Sequence, residues 1–404
     1  MTKAAPAWLL PIAAIFFLQT VSSFLGRFIP IIAPALSAEF GWDGSSIGYL
    51  TASHSLGSLS ILVGGSVLLR QVGGMRMLQL TLFLGTASMS LFLHPSVTVA
   101  LVACFIMGLS NGTSNPAGSE VLQRFSPPGK RNLIFSIKQA GVPLGGVLAG
   151  LAVPAMIVLM GWRMTLFVCA LLVTVTTVLT WRVSSQVDER PASGRPYLTM
   201  PSLQSFHALW IPLQALTHSR GLLRMSIVGT LFAVSQTCWF TFTVIYLIDG
   251  LGYSLGQAGA VFAVMQAGGV IGRVALGWLS DYLQSATLSL MAAAILSAAT
   301  TVLLGMSNPH WPIWSIVLLA FVAGCSAASW NGVQIAEVAR RSPPHLISET
   351  SAGSSILVNI TNMLVPAAFA AFVAATQRYD YAFYAGSIFT LLVLVVLPRE
   401  ARKR

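Results

Sequence analysis

Four basic side chains fall inside long apolar stretches of the chain: Arg27, His54, Lys138 and Arg273. A charge in hydrocarbon is costly unless it faces water, protein or a ligand, so each of these positions is a candidate functional site. None of the eleven Asp and Glu residues lies in the middle of such a stretch. An interior that carries cations without fixed acids favours a small anion as the ligand.

Arg273 shares a helical face with Gln266, which comes seven residues earlier. A planar guanidinium can hold a carboxylate with two hydrogen bonds, so this pair is a candidate anion contact. The alternative is that Arg273 reaches Asp281 or the membrane interface as part of a gate.

The other three cations have similar alternatives. Arg27 is either a second anion contact or a side chain that extends outwards to Glu39 and Asp43. Lys138 either contacts ligand or extends to the inner surface. His54 either accepts a proton during transport or hydrogen-bonds a neighbouring helix.

Amide and aromatic side chains recur at helical spacing in four further stretches. Residues three or four apart share a face of a helix, so these pairs are candidate cavity walls. They could equally form hydrogen bonds between helices, worth about 0.6 kcal/mol each. The pairs are Asn111 and Asn115, Gln236 and Trp239, Asn331 and Gln334, and Asn359 and Asn362. The predicted substrate-binding set is Arg27, His54, Asn111, Asn115, Lys138, Gln236, Trp239, Gln266, Arg273, Asn331 and Asn359.

The elements that position these residues are membrane spans. Apolar residues make up 55% of the 404, charged residues only 8%, and the mean hydropathy is +0.78. This composition predicts an integral membrane protein. Twelve stretches are long enough to cross about 30 Å of hydrocarbon as helices. These stretches, spans 1 to 12, cover residues 8–33, 46–68, 77–93, 97–118, 133–159, 163–182, 223–247, 255–279, 286–306, 311–334, 351–375 and 381–397.

The net charge of +11 reports topology, because most Lys and Arg residues fall in the termini and in alternate loops. The opposite loops carry only Arg163 and Arg378. The positive-inside rule therefore places both termini in the cytoplasm, with the chain in the inner (plasma) membrane, and the charge does not indicate nucleic-acid binding. Span 1 is too long for a signal peptide and is expected to remain as a helix.

Catalytic and cofactor signatures are missing from the sequence. We find no G-x-S-x-G, H-E-x-x-H, P-loop or Cys/His metal spacing, so neither an enzyme nor a cofactor is predicted. Each of the four cysteines stands alone within a span, as a small packing residue would. The expected partners are a small anion, protons as a candidate coupling ion, and the lipid bilayer, with the protein functional as a monomer.

A polar segment rich in Pro and Ser separates six spans from six, which predicts halves at 1–182 and 223–404 joined by a cytoplasmic loop at 183–222. Matches at nearly constant offset relate the halves. Gly48 matches Gly259 at an offset of 211, and Phe105 and Gly108 match Phe321 and Gly324 at 216. Two Glu-Val and Ser-Pro-Pro segments, at 120–128 and 337–344, follow at 217 and 216. The order of the matches predicts a parallel repeat, with a site near the midplane between two halves that rock.

The segment GRVALGWLSDYL at 272–283 resembles the signature loop of the major facilitator superfamily, with Gly277 and Asp281 as its glycine and aspartate. GVPLGG at 141–146 is similar to a glycine motif in the fifth helix of many members. The resemblance implies an all-α membrane protein with twelve transmembrane helices in two parallel six-helix repeats. It also implies that Asp281 contributes to the cytoplasmic gate.

The first copy of the signature departs from the family pattern. Arg70 stands where the aspartate belongs, and only the turn Gly73-Gly74 and the basic Arg76 remain. Glu120 and Glu337, at the ends of spans 4 and 10, are expected to pair with nearby arginines as inner latches or simply to be solvated at the helix ends. The predicted gating set is Arg70, Arg76, Glu120, Gly277, Asp281 and Glu337.

Two further likenesses concern the substrate. Arg273, Gly277 and Asp281, spaced four apart, are similar to the eighth helix of monocarboxylate transporters and oxalate:formate exchangers, where that arginine is implicated in holding a carboxylate. The segment around Lys138 resembles bacterial facilitators of the cyanate-permease type. These resemblances imply a secondary transporter of a small organic anion, driven by proton symport or anion exchange. The alternatives are an efflux carrier for neutral or amphipathic compounds and a transport-fold receptor.

Overall fold

A computed structural model describes residues 9–125, 131–188, 210, 212–343 and 346–398. Within those ranges, the side chains of 63–71, 115–117, 119–120, 123–124, 131–137 and 347–348 are not described. The helices that form the spans are Leu9–Phe40, Ser46–Val72, Gly74–Ser88, Val97–Phe125, Arg131–Val187, Arg220–Asp249, Leu255–Tyr282, Ala286–Met306, Ile313–Ala327, Asn331–Arg341, Ile347–Thr376, Tyr379–Leu391 and Val393–Val396. A 3-10 turn at Met89–Leu93 completes span 3.

Ten helical segments of the described chain are long and apolar enough to cross a membrane. One of them, Lys138–Val187, contains both span 5 and span 6. The two spans are separated by a break in the backbone at Gly161, where φ is 78°. The helix Ser46–Val72 forms span 2. The twelve-helix membrane fold predicted from the sequence is confirmed, and most helices run several residues beyond the predicted apolar stretches.

Span 10 differs from its prediction. It consists of two helices, Ile313–Ala327 and Asn331–Arg341, separated by a turn at residues 328–330. The second helix carries its charge at its end, where Arg340 and Arg341 lie in the last turn. The apolar pattern predicted one uninterrupted helix, since hydropathy carries no signal for a break inside hydrocarbon.

The chain forms two compact units. Unit 1 comprises Met1–Ile32 with Ser53–Phe206, and unit 2 comprises Ala33–Ala52 with His207–Arg404. The end of span 1 and the start of span 2 therefore belong to unit 2, where a Cβ added at Gly48 would lie 2.2 Å from the Pro366 carbonyl oxygen. The division into halves at 1–182 and 223–404 with a loop at 183–222 stays a prediction.

In unit 1, spans 2 and 4 cross with their backbones in direct contact. A Cβ on Gly57 would lie 2.0 Å from the Phe105 carbonyl oxygen, and one on Gly108 would lie 2.0 Å from the His54 carbonyl oxygen. Only glycine allows helices to approach this closely, as in the small-residue contacts of other membrane helices.

Unit 2 repeats the same crossing between spans 8 and 10. A Cβ on Gly268 would lie 2.4 Å from the Phe321 carbonyl oxygen, and one on Gly324 would lie 2.0 Å from the Met265 carbonyl oxygen. These residues correspond to the unit 1 crossing at the offsets of 211 and 216 found in the sequence. The parallel six-helix repeat is thus visible as one contact made twice.

A carboxylate from the end of span 6 holds the start of span 3. Asp188, which is 6% exposed, accepts hydrogen bonds from the backbone N–H groups of Met75 (3.2 Å) and Arg76 (2.8 Å). The preceding Gly73 has a φ of 92°, and a Cβ there would lie 2.4 Å from the Asp188 carboxyl carbon. A negative charge at a helix N-terminus satisfies free N–H groups and interacts favourably with the helix dipole.

The close crossings give a test of the repeat. We expect Gly108→Ala and Gly324→Ala each to lower the free energy of unfolding by about 1 to 3 kcal/mol, because the added methyl must push two backbones apart. Thermal unfolding in detergent measures the effect. The matched control is Gly332→Ala, since nothing lies within 4 Å of its Cβ position. Equal stability of the three variants would contradict the close contact.

Asp188 gives a second test. Asp188→Ala should destabilise the protein by about 0.5 to 2 kcal/mol, because two N–H groups of span 3 lose their acceptor. Asp188→Asn should lose less, since an amide oxygen still accepts a hydrogen bond. The control is Asp281→Ala, because that carboxylate is exposed and forms no ion pair with any described residue. Identical melting temperatures for both alanine variants would rule out the capping role.

Candidate functional site

The unit 1 candidates cluster around His54. This side chain is 6% exposed, and its Nε2 has no hydrogen-bond partner in the described part of the chain. Its Cε1 and the Nδ2 of Asn111 both lie 3.3 Å from the position that a Cβ on Gly26 would take. Arg27 follows Gly26 on span 1 and acts electrostatically on the imidazole. Span 1, span 2 and span 4 therefore bring Arg27, His54 and Asn111 together.

Lys138 lies apart from this cluster. Its side chain is 2% exposed, and a Cβ on Gly118 would lie 2.4 Å from its Cε and 2.9 Å from its Nζ. The ammonium thus packs against span 4, beside Ile15 of span 1, and does not extend to the inner surface as the alternative interpretation had it. Asn115 lies outside the residues whose side chains are described.

The unit 2 candidates cluster at the break in span 10. Gly269 and Gly272 of span 8 lie against Ala328 and Ser329 of the turn. Arg273, next on span 8, donates from its Nε to the carbonyl oxygen of Ala328 at 3.4 Å. The turn at 328–330 exposes backbone groups that an intact helix would pair internally, and Arg273 takes one of them.

Two polar groups, one on span 8 and one on span 10, are buried and unpaired among the described residues. Gln266 is 2% exposed with no partner for Nε2, and Asn331, which opens the second helix of span 10, has none for Oδ1. An unpaired buried polar group costs about 1 to 3 kcal/mol, so a native protein that keeps one usually has a use for it.

Arg273 and Gln266 occupy the same face of span 8. Seven residues correspond to about 10.5 Å of helix rise, and the two positions share a face. Helical side chains lean towards the helix N-terminus, so the long arginine side chain leans in the direction of Gln266. The arrangement places a guanidinium and an amide, which are both hydrogen-bond donors, on one face of span 8.

Other predicted wall residues take part in packing. Trp239 is buried, and its Nε1 donates to Thr301 Oγ1 at 3.0 Å. Gln334 donates from Nε2 to the Met225 carbonyl and to Ser354 Oγ, both at 3.0 Å. Since their donors are occupied between helices, we leave Trp239 and Gln334 out of the proposed site.

The remaining predicted amide residues make different kinds of contact. Gln236 is buried in span 7, and Asn362 of span 11 accepts a hydrogen bond from Thr237 at 2.9 Å. Asn359 is half-buried and donates to the backbone of its own helix at Ser355, 2.8 Å away. These contacts neither assign nor exclude a role with ligand.

The predicted gating residues lie at helix ends. Glu337 is buried and accepts hydrogen bonds from Arg340 Nε and Arg341 Nε, both at 2.7 Å. A Cβ on Gly221, at the start of span 7, would lie 3.1 Å from Arg341 Nη1. Glu337 and Arg341 belong to the same helix, and the hydrogen bond between them orients the Arg341 guanidinium towards span 7.

The C-terminal part of the second-half signature segment is exposed. Nothing lies within 4 Å of a Cβ position on Gly277, and Asp281 is exposed. In the first half, Arg76 is half-buried with its backbone N–H held by Asp188. Arg70 and Glu120 lie outside the residues whose side chains are described.

Two important groups of the structure could not be predicted from the sequence. Asp188 falls in the segment predicted as a loop, and it acts on residues more than a hundred positions earlier. The Ala328 carbonyl accepts a hydrogen bond from Arg273 at the break in span 10, and the apolar pattern does not predict this break. No local pattern predicts that break, since alanine favours helix and Ala327-Ala328 would continue one.

Comparison with known proteins agrees with this architecture. The 4-hydroxybenzoate transporter PcaK of Pseudomonas aeruginosa is 26% identical over 273 residues, covering 62% of this chain and 61% of that protein. The probable galactarate/D-glucarate transporter GudP of Escherichia coli is 24% identical, covering 91% of this chain and 88% of GudP. A crystal structure of a POT family transporter in complex with 5-aminolevulinic acid superposes with a TM-score of 0.76 at 11% identity, over 96% of this chain and 95% of that one.

The sequence profile of the Major Facilitator Superfamily matches residues 13–366, nearly the whole chain. The relatives are transporters, which confirms the prediction of a multi-pass membrane transporter and not an enzyme. The chain belongs to the Major Facilitator Superfamily.

Proposed function

We propose that this protein is a secondary transporter of small organic anions, and that a substrate carboxylate binds beside the break in span 10. The observation that carries the proposal is the arrangement of Arg273 and Gln266 on one face of span 8, with Gln266 buried and its donor unpaired among the described residues. Both side chains donate hydrogen bonds, and a carboxylate accepts them.

The relatives support the same substrate class. PcaK is named for 4-hydroxybenzoate and GudP for galactarate and D-glucarate, which are all organic acids. The interior of the spans carries cations, while the acids of the sequence lie at the span ends or in loops. A positive interior lowers the free energy of a bound anion and disfavours a cation.

Transport would proceed by alternating access, in which the repeats of the fold move about a site near the bilayer midplane. Proton symport or anion exchange would supply the driving force. His54 is our candidate proton acceptor, because its Nε2 is unpaired among the described residues and a neutral imidazole nitrogen can accept a proton. We place the protein in the inner (plasma) membrane as a monomer with both termini cytoplasmic.

Arg273 provides the direct test. Arg273→Gln should reduce uptake of labelled 4-hydroxybenzoate or D-glucarate into proteoliposomes by about 10- to 100-fold, because charge-assisted hydrogen bonds contribute about 1.5 to 3 kcal/mol. Arg273→Lys should retain only part of the activity, since an ammonium cannot bind a carboxylate with two parallel bonds. The control is Arg378→Gln, since Arg378 is exposed and paired with Asp380.

Unchanged anion uptake by Arg273→Gln would defeat the role assigned to Arg273. If the unaltered protein moves no carboxylate while it moves a hydrophobic dye, it is instead an efflux carrier. Ligand binding without flux of any kind would indicate a receptor.

Replacing Gln266 should have opposite effects on protein stability and on carboxylate binding. Gln266→Leu should leave the melting temperature unchanged or raise it, because the variant removes a buried donor that lacks a partner. It should also weaken carboxylate binding, measured by calorimetry, by about 10-fold or more. The matched control is Gln334→Leu, which removes two hydrogen bonds made at 3.0 Å and should lower the melting temperature. A large loss of stability in Gln266→Leu would mean that the amide has a structural partner and not a ligand.

A further inference from the structure

Spans 1 and 4 of unit 1 approach each other at two points. At one point a Cβ on Gly26 would lie 3.3 Å from Asn111 Nδ2, and at the other a Cβ on Gly118 would lie 3.5 Å from Ile15 Cγ1. Residues three or four apart share a helical face, so the positions between these points also face the neighbouring span. We call this stretch the span 1–4 seam, formed by Ile15, Gln19, Ser22 and Gly26 of span 1 and by Asn111, Ser114 and Gly118 of span 4.

The centre of the seam is polar and buried. Gln19 is 2% exposed, and Ser22 and Ser114 are each 1% exposed. Gln19 Oε1, Ser22 Oγ and Ser114 Oγ have no hydrogen-bond partner in the described part of the chain. All the buried unpaired side-chain atoms that the structure describes on spans 1 and 4 lie in this seam. Buried polar atoms without a protein partner are usually hydrogen-bonded to internal water.

Neighbouring polar groups are already paired within their own helices. Thr20 Oγ1 donates to the carbonyl oxygen four residues earlier at 2.9 Å, and Thr113 Oγ1 does the same at 2.8 Å. Gln19 Nε2 donates to Ser23 Oγ at 3.5 Å, which leaves the amide oxygen as its unpaired atom. Asn115 lies in the same stretch, outside the residues whose side chains are described.

Side chains hold spans 1 and 4 apart, which leaves room for water between them. The atoms nearest to the Cβ positions of Gly26 and Gly118 belong to side chains, whereas a backbone carbonyl lies 2.0 Å from the Cβ position of Gly108 where spans 2 and 4 cross. The serines at the centre of the seam are smaller than Asn111 and Ile15 at its ends. Water both donates and accepts hydrogen bonds and fits a small polar space of this kind.

The two ends of the seam carry groups that can bind a proton. His54 Nε2 lies 3.4 Å from the Cβ position of Gly26 and is unpaired among the described residues. Lys138 Nζ lies 2.9 Å from the Cβ position of Gly118 and also donates to Gln139 Oε1 at 3.5 Å. The two contacts are seven residues apart on span 4, or about 10.5 Å of helix rise. A file of a few waters covers this distance, since hydrogen-bonded oxygens lie about 2.8 Å apart.

We propose that the span 1–4 seam holds a file of internal waters, and that this file carries a proton between His54 and Lys138. The imidazolium gives its Nε2 proton to the first water, each water passes one proton on, and the neutral amine of Lys138 accepts the last one at Nζ. Every water keeps two protons, and one positive charge has moved from His54 to Lys138. A buried lysine can act as a base in this way. The proton role rests on the proposed function, in which His54 accepts the coupling proton, while the hydration of the seam does not.

A density map of the unaltered protein that resolves ordered water tests the hydration directly. We expect water within hydrogen-bond distance of Gln19 Oε1, Ser22 Oγ and Ser114 Oγ. A dry seam, or one filled only by protein side chains, would overturn the proposal. This measurement needs no variant and no transport activity, so its failure is distinct from a failure of the proposed carboxylate transport.

Transport in proteoliposomes tests the proton role. A trapped pH-sensitive dye follows proton entry during uptake of 4-hydroxybenzoate or D-glucarate, and exchange of labelled for unlabelled anion is measured separately at equal pH on both sides. The double variant Ser22→Ala with Ser114→Ala removes two hydroxyl groups without adding volume. It should slow proton entry about 10-fold, because the file loses two hydrogen-bond partners. Anion exchange should be unchanged, since it needs no net proton transfer.

The matched control is Ser110→Ala, a buried serine of the same helix whose Oγ donates to the Met107 carbonyl at 2.8 Å. It should leave proton entry at the rate of the unaltered protein. Unchanged proton entry in the double variant would overturn the proton role. An equal loss of proton entry and anion exchange would mean that the seam contacts the substrate, and it would also overturn the proposal. Anion uptake without proton entry in the unaltered protein would exclude the proton role and leave the proposed anion transport intact.

Discussion

The direct contact of glycine backbones between paired spans is the constraint on which the rest of this structure depends. In unit 1 it joins spans 2 and 4 at Gly57 and Gly108, and in unit 2 it joins spans 8 and 10 at Gly268 and Gly324. Helices in lipid gain nothing from hydrophobic exclusion, so close packing must hold them together. In each unit, a candidate site residue lies next to the crossing. In unit 1 this residue is His54, whose carbonyl contacts Gly108. In unit 2 it is Arg273, which follows the closely packed Gly272 in the chain.

The two crossings are alike, but they present different chemistry. In unit 1 the partner of the crossing is an unbroken helix, Val97–Phe125, and the unpaired group beside it is an imidazole. In unit 2 the partner breaks at residues 328–330, and the groups beside it are a guanidinium and an amide. A broken helix in hydrocarbon leaves backbone groups that must be paired by something else, and such breaks are characteristic of ligand sites in transporters. Arg273 pairs with one backbone carbonyl at this break, and in the proposed function it also binds the substrate carboxylate.

The sequence predicted the fold well because its strongest signals are long and redundant. Apolar stretches, alternate basic loops and two offsets defined the spans and the repeat, and the glycines at the crossings follow those same offsets. The predictions were weaker wherever one contact decides the outcome. Trp239 and Gln334 have the same spacing and polarity as a cavity wall, yet their donors are used between helices. Asp188 and the Ala328 carbonyl depend on long-range packing that no local pattern records.

The proposed function requires that the protein recognise the negative charge of a carboxylate. Isothermal titration of the purified, unaltered protein with matched pairs of ligands tests this most directly, each pair being an organic acid and its uncharged primary amide, such as 4-hydroxybenzoate and 4-hydroxybenzamide. We expect at least one acid to bind and its amide to bind at least about 10-fold more weakly, because the amide cannot accept two charge-assisted hydrogen bonds from Arg273. Equal affinity for an acid that binds and its amide would contradict it.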